Sequence, residues 1–232
     1  WKRKADDAME RVGRYRDENN PVYRNRNNPV KQVVVPPPGK YALLAVGGSY
    51  LHIVNVADPS NPKLAMKDTR LGLLYGEQIA DGLLDKRYAC CFWHVTGFYW
   101  YDVYGGEKPV YADRNYRCRM SAVNGMAFIG TDALVISSGG YFSLNIDENR
   151  PIDKLPLHKV KGHDLSGKPS VTGKTLHLAD RFSGRVSTVD ISEFDKPRVL
   201  DVIELEGNPG AVVECNGKAV IPAGYQGLLI AR

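Results

Sequence analysis

No apolar run in the sequence approaches the roughly 18 to 20 residues that a membrane-crossing helix needs, so no transmembrane segment is expected. Cysteine is scarce: four residues, Cys90, Cys91, Cys118 and Cys215, with no C-x-x-C pair. That spacing argues against a structural zinc site. Neighbouring Cys90 and Cys91 point to opposite faces of a strand and make poor partners for each other. A long-range bridge from Cys118 to one of them stays open. No glycine-rich loop precedes a helix, so nothing cradles a phosphate. Ser137-Ser138-Gly139-Gly140 lacks the strand-to-helix setting of a nucleophile elbow. Gly162-His163-Asp164 supplies one histidine and one acid, too few for a metal. No motif calls for a cofactor. The net charge of +5 is mild, and no nucleic-acid-binding signature accompanies it.

Glycine (23), proline (14) and tyrosine (13) are plentiful, which favours a turn-rich β protein. The 232 residues are enough for one large core or two small ones. Much of the positive charge lies near the start, in Lys2, Arg3, Lys4, Arg11, Arg14, Arg16, Arg24 and Arg26. Ala5, Ala8, Met9, Val12 and Tyr15 fall at helical spacing, so residues 1–18 are expected to form a helix, stopped by Asn19-Asn20-Pro21. Residues 1–29 then read as a basic helical arm and connector, and 30–232 as the β part.

Within the β part a signature of apolar, Asn or Asp, apolar recurs around Asn55, Asp102, Asn145 and Asp190, at steps of 47, 43 and 45 residues. A glycine precedes each (Gly48, Gly97, Gly140, Gly184) and a proline follows (Pro62, Pro109, Pro151, Pro197). Another strand-like run precedes each glycine: Tyr41–Val46, Tyr88–His94, Ala133–Ser137 and Thr175–Ala179. A unit of this length with four short strands cannot bury both faces of its sheet alone, and radial stacking of such units solves the problem. The spacing therefore predicts an all-β protein, a β-propeller of four-stranded blades, with repeats near 32–67, 76–113, 121–160, 169–205 and 209–232. The Asn or Asp is expected to pin the following corner through an Asx-type contact.

The fifth unit stops at its signature position. Either Gln32–Val35 lends the last blade its missing strand and closes a five-bladed ring, or the ring is larger and is completed by further chain or another subunit. Both alternatives stay open.

The wording of the repeat resembles the LVIVD-repeat β-propeller family. Residues 47–63, GGSYLHIVNVADPSNPK, carry its glycine, apolar run and Asp-Pro-x-x-Pro corner. Residues 184–197, GRVSTVDISEFDKP, match more loosely, and FYWYDVYGGEKP keeps only the frame. The resemblance implies the propeller fold and a surface or exported location. It transfers no catalytic residue.

In four-stranded blades the second-to-third loops share a face with the blade-to-blade loops, and ligands commonly bind there. This selects Tyr50, His94, Tyr141, Asp180, Arg181 and Tyr225 from the first set. It selects Arg70, Arg114, Tyr116, Arg117, His163, Asp164 and Asn208 from the second. His94, Arg114, Arg117, His163, Arg181 and Tyr225 are the expected binding residues. Arginine grips carboxylates in a fork, and tyrosine stacks and donates. The first expectation is a non-catalytic binding or scaffold module for a protein partner or an acidic glycan. The alternative is a carbohydrate-active enzyme performing lyase-like β-elimination, with His94 or His163 as base and Tyr141 as proton donor. Hydrolysis is disfavoured because the loops lack paired acids.

Overall fold

The computed structural model describes residues 2–3, 9–15, 30–46, 50–69, 79–93, 97–116, 123–137, 139–145 and 155–230. The chain divides into two compact units, residues 1–93 with 98–115, and residues 94–97 with 116–232. Among the described residues the structure is built of antiparallel strands, with a single 3-10 turn and no α-helix.

The first unit opens with β1 (Lys2–Arg3) paired to β2 (Met9–Glu10). This corrects the expectation of a helical arm. A helix of this length is marginal in water, and Gly13 weakens it further. Residues 11–15 instead lie against the first sheet. A Cβ on Gly13 would sit 1.9 Å from Pro59 O, and the Tyr15 hydroxyl is 3.0 Å from Nδ1 of the buried His52. Docking of this backbone onto the sheet overrides the helical periodicity.

The first sheet runs β3 (Val30–Val34), β4 (Tyr41–Val46), β5 (Tyr50–Asn55), β6 (Lys63–Asp68) in spatial order. β3 pairs with β4, so it is an edge strand of its own sheet and is not a strand lent to the last one. The second sheet comprises β7 (Tyr88–Trp93), β8 (Gly97–Asp102) and β9 (Val110–Tyr116). Ile79 bridges to Cys91 beside β7. The Gln32 side chain clamps Ile79 with two bonds, donating Nε2–H to its carbonyl and accepting its N–H at Oε1, both 2.7 Å. Between the sheets Leu43, Ala45, Leu51 and Ile53 pack with Ala89, Cys91, Tyr101 and Val103.

The second unit holds three sheets. The third is β10 (Val123–Ile129), β11 (Asp132–Ser137) and β12 (Gly140–Asn145), with His158 bridged to Tyr141 along its outer side. The fourth is β13 (Lys168–Thr172), β14 (Thr175–Asp180), β15 (Arg185–Asp190) and β16 (Arg198–Glu204). The fifth is β17 (Val213–Cys215), β18 (Lys218–Pro222) and β19 (Leu228–Ile230). Strict alternation divides the fourth sheet's apolar residues between two cores. Leu176, Leu178 and Val189 join Leu134, Ile136 and Tyr141 of the third sheet. Ala179 and Val186 join Val212, Ile221 and Leu229 of the fifth.

Each signature residue, Asn55, Asp102, Asn145 and Asp190, is the last residue of its strand: β5, β8, β12 and β15. Asn55 Oδ1 accepts the Ala57 N–H at 3.0 Å, and Asp102 Oδ1 accepts the Gly105 N–H at 2.7 Å. Asp190 Oδ1 accepts the Ser192 N–H and hydroxyl, at 2.9 and 2.6 Å, while Arg198 donates to Oδ2 at 2.9 Å. Asn145 donates Nδ2–H back to Asp132 Oδ1 at 3.1 Å. The Asp102 carboxylate is also gripped by Arg87, whose Nε–H bond is 2.9 Å. The vicinal cysteines are buried free thiols and Cys215 is an exposed one, whereas Cys118 lies outside the described residues.

Three measurements check this account. Hydrogen bonds from the Ser192 hydroxyl and N–H, then from Arg198, hold the Asp190 carboxyl at about 2 instead of 3.8. Because the folded value is the lower one, these bonds favour the folded state above the ordinary carboxylate value, and that contribution is lost as pH falls toward 2. An NMR titration should place the Asp190 midpoint there, and Ser192→Ala should move it upward. A midpoint indifferent to Ser192→Ala would remove the corner from the account. Second, Tyr141 is fully buried and donates its hydroxyl to Phe194 O at 2.7 Å. Tyr141→Phe should cost about 1 kcal/mol in urea unfolding. Third, burial pushes both the Cys90 and Cys91 thiols well above their ordinary value. Iodoacetamide at mildly alkaline pH should alkylate Cys215 in the folded protein, and Cys90 and Cys91 only after denaturation; peptide mass mapping reads the difference.

Candidate functional site

The loops at one end of the second unit interlock. β14 ends at Asp180, whose carboxylate builds the turn to β15. Oδ1 accepts the Phe182 N–H at 3.0 Å, and Oδ2 accepts the Ser183 hydroxyl at 2.8 Å. Gly184 closes that turn at φ +74°, and a Cβ there would lie 2.3 Å from Leu205 O. Only glycine fits, because the same backbone approach lets Leu205 N–H donate to Gly184 O at 2.8 Å.

The loop ahead of β13 meets this turn. Ser166 Oγ lies 3.2 Å from Asp164 Oδ2 and 3.3 Å from Asp180 Oδ2. Arg185 donates Nη2–H to Asp164 O at 3.1 Å and stands 3.7 Å from its carboxylate. Leu165 N–H donates to Gly139 O at 3.1 Å, which ties the loop to the β11–β12 turn. On the other side, residues 205–210 bind the β18–β19 turn. Gly207 N–H donates to Gln226 Oε1 at 3.0 Å, Gly210 N–H to Pro222 O at 2.7 Å, and the Tyr225 hydroxyl to Glu206 O. Five loops therefore form one continuous end.

Burial pushes the Asp180 carboxyl up, yet bonds from the Ser183 hydroxyl, the Phe182 and Ser183 amides and Ser166 outweigh it and hold the group below its ordinary value. The carboxylate is committed to shaping the turn. What the turn presents is Phe182, 95% exposed, beside the exposed Arg181. His163 is exposed on the neighbouring loop, and Tyr225 on the next turn is 78% exposed.

Of the residues singled out from sequence, His163, Arg181 and Tyr225 thus share this end of the second unit. Tyr141 does not. It is the second residue of β12, opposite Ile136, and it is buried. Burial, with Asp195 adding to it, pushes its hydroxyl well above the ordinary phenol range. The alternation of the strand carries its ring into the core, so the hydroxyl is a structural donor to Phe194 O and not a proton donor at a loop. Arg114 lies within β9 and not in a loop. His94 and Arg117 lie outside the described residues. Phe182 escaped the sequence reading. Its signal is a large aromatic in the four-residue turn between Asp180 and Arg185, where neither strand's alternation can bury it. Among the described residues, no group of three or more His, Cys, Asp or Glu is placed to hold a metal ion.

No protein-family model and no curated protein matches the chain. Solved structures do. BamB from Moraxella catarrhalis is similar at a TM-score of 0.52 and 14% identity, over 89% of this chain and 59% of its own. A chain of the mitotic checkpoint complex reaches 0.60 at 8% identity, over 90% of this chain and 65% of its own. A functionally unknown protein from Desulfotomaculum acetoxidans reaches 0.54 at 10% identity, over 83% and 62%. The chain thus spans about three-fifths of the length of the structures it resembles. At such identities the likeness shows the fold alone, and that fold is β-propeller-like.

Proposed function

We propose that this chain is a protein-interaction scaffold, and that its contact surface is the end of the second unit carrying His163, Arg181, Phe182 and Tyr225. One observation carries the reading: a phenylalanine 95% exposed on a turn that its own Asp180 pins. An aromatic held out in water by a rigid turn costs no ordering when a partner covers it. Aromatic and arginine side chains are the usual anchors of protein contacts. Arg181 beside it favours an acidic segment on the partner. The structures similar to this chain include a component of the mitotic checkpoint complex, a multiprotein assembly by its name, which accords with a scaffold.

The LVIVD assignment belongs to this proposal too. Asp190 within GRVSTVDISEFDKP closes its blade corner as that repeat requires. An acidic glycan would draw on Arg181 and Tyr225, but it gives the protruding Phe182 no apolar pocket to enter. The lyase alternative loses Tyr141, its proton donor, to the core.

A photo-crosslinking amino acid at position 182 tests the reading, with position 174, in the β13–β14 turn at the other end of the sheet, as control. Extract of the source cells should give discrete protein adducts from 182 and none from 174. Phe182→Ala should weaken capture of the same partner by roughly tenfold or more. Equal adducts from both positions, or none from 182, would reject the proposed surface.

A further inference from the structure

The two faces of the fourth sheet differ in kind. Directly paired residues of an antiparallel sheet share a face, and the register sorts them. One face carries Val171, Leu176, Leu178, Val189 and Val199, which pack with the third sheet. The face toward the fifth sheet is apolar only in the row beside the Asp180 turn, where Val186 pairs with Ala179 and with Ile203. The next row on that face is polar from edge to edge. Ser170 pairs with His177, His177 with Thr188, and Thr188 with Asp201. The row after it, Thr172, Thr175, Asp190 and Arg198, is polar too.

The fifth sheet matches this division. Ile221 and Leu229 join the apolar row. Glu214, paired with Ala219, lies on the same face one row nearer the β17–β18 turn. Backbone bonds tie the loops together at the apolar end, Leu205 N–H to Gly184 O and Gly210 N–H to Pro222 O.

His177 sits in the middle of the polar part. It is half-buried, and its Nδ1 lies 3.2 Å from Thr188 Oγ1. Among the described residues the charges of this face come from four strands. Glu214 on β17 faces His177 from the opposing sheet. Lys168 on β13 and Asp201 on β16 lie farther along its own sheet, and Asp190 on β15 is bound to Arg198 on β16. β14 and β18 add none, with Thr175, Ala179 and Ala219 on this face. Burial holds the imidazole below its ordinary 6.5, and the Glu214 charge opposes that without cancelling it.

We infer that His177 makes the contact between the fourth and fifth sheets pH-sensitive: a proton taken up in mildly acidic solution loosens the fifth sheet from the fourth. A charged imidazole gains hydration when the opposing sheet withdraws. Because the folded value is the lower one, the contact is at full strength above the ordinary histidine value and weakens as pH falls through it. The loop bonds at the apolar end serve as the hinge. The inference does not depend on the Phe182 surface.

Amide hydrogen exchange followed by NMR tests it, at about pH 7.5 and about pH 5.5, corrected for intrinsic exchange rates. Protection of the β18 amides should fall by up to about tenfold at the lower pH, the ceiling that one pH unit below the ordinary value sets. The β14 and β15 amides should keep theirs. The His177 ring should titrate below 6.5. His177→Gln, which keeps a polar partner for Thr188, should remove the fall. Glu214→Gln should deepen it, because that carboxylate favours the charged ring. Both variants should leave the far-ultraviolet circular dichroism unchanged. Equal β18 protection at the two pH values overturns the inference, as does a fall that survives in His177→Gln. Matching losses in β14 and β15 assign the effect to the whole unit and overturn the local contact. A smaller fall in Glu214→Gln overturns the role given to the facing charge.

Discussion

A sheet of three or four six-residue strands buries an apolar face only when another sheet lies on it. That constraint governs each unit of this molecule. The first sheet needs the second to cover Leu43, Leu51 and Ile53. The fourth needs both the third and the fifth, because alternation puts Leu178 on one side and Ala179 on the other. Burying such side chains contributes about 1.5 to 3 kcal/mol each for the larger ones, far more than any surface bond in the structure. Stability is therefore shared between neighbouring sheets and is not a property of any one of them.

Polar chemistry in the blades mostly serves that stacking. Asn55 and Asp190 turn the chain from the third strand toward the fourth, and Asp180 does the same work between second and third. Local hydrogen bonds hold the Asp180 and Asp190 carboxyls below their ordinary value, which commits them to shaping their turns. The buried Tyr141 hydroxyl is likewise spent on Phe194 O. The side chains that these turns and loops hold out to solvent include Phe182, Arg181, His163 and Tyr225. Pinned turns and exposed tips belong together, since a partner gains most from contacts that need no further ordering.

Much of this fold is legible in the sequence. Tyr41–Val46 and Lys218–Pro222 are strands with the bounds that alternation and turn residues set. Asn55, Asp102 and Asp190 mark strand ends because an Asx contact needs only residues two or three positions away. Such local physics repeats whenever the residues repeat. The amino-terminal helix is where the same reasoning went wrong. Ala5, Met9, Val12 and Tyr15 have helical spacing, yet Tyr15 reaches His52, 37 positions away, and the backbone near Gly13 meets Pro59. A helical period states which residues could share a face. It does not state which surface is available to receive them.

The candidate site divides in the same way. By itself the sequence determined the β class, strands such as Tyr41–Val46 and corners such as those at Asn55 and Asp190, because spacing and turn chemistry are local. It also named Arg181, His163 and Tyr225 as loop residues. Only the tertiary structure decided that Tyr141 belongs to the core, that Phe182 stands in solvent, and that β3 completes the first sheet. Each of those outcomes turns on which face of a strand meets a neighbour, and a one-residue shift in register reverses it. A loop boundary drawn two residues late moved Tyr141 from core to rim. Facing is set by contacts distant in sequence, which spacing alone does not contain.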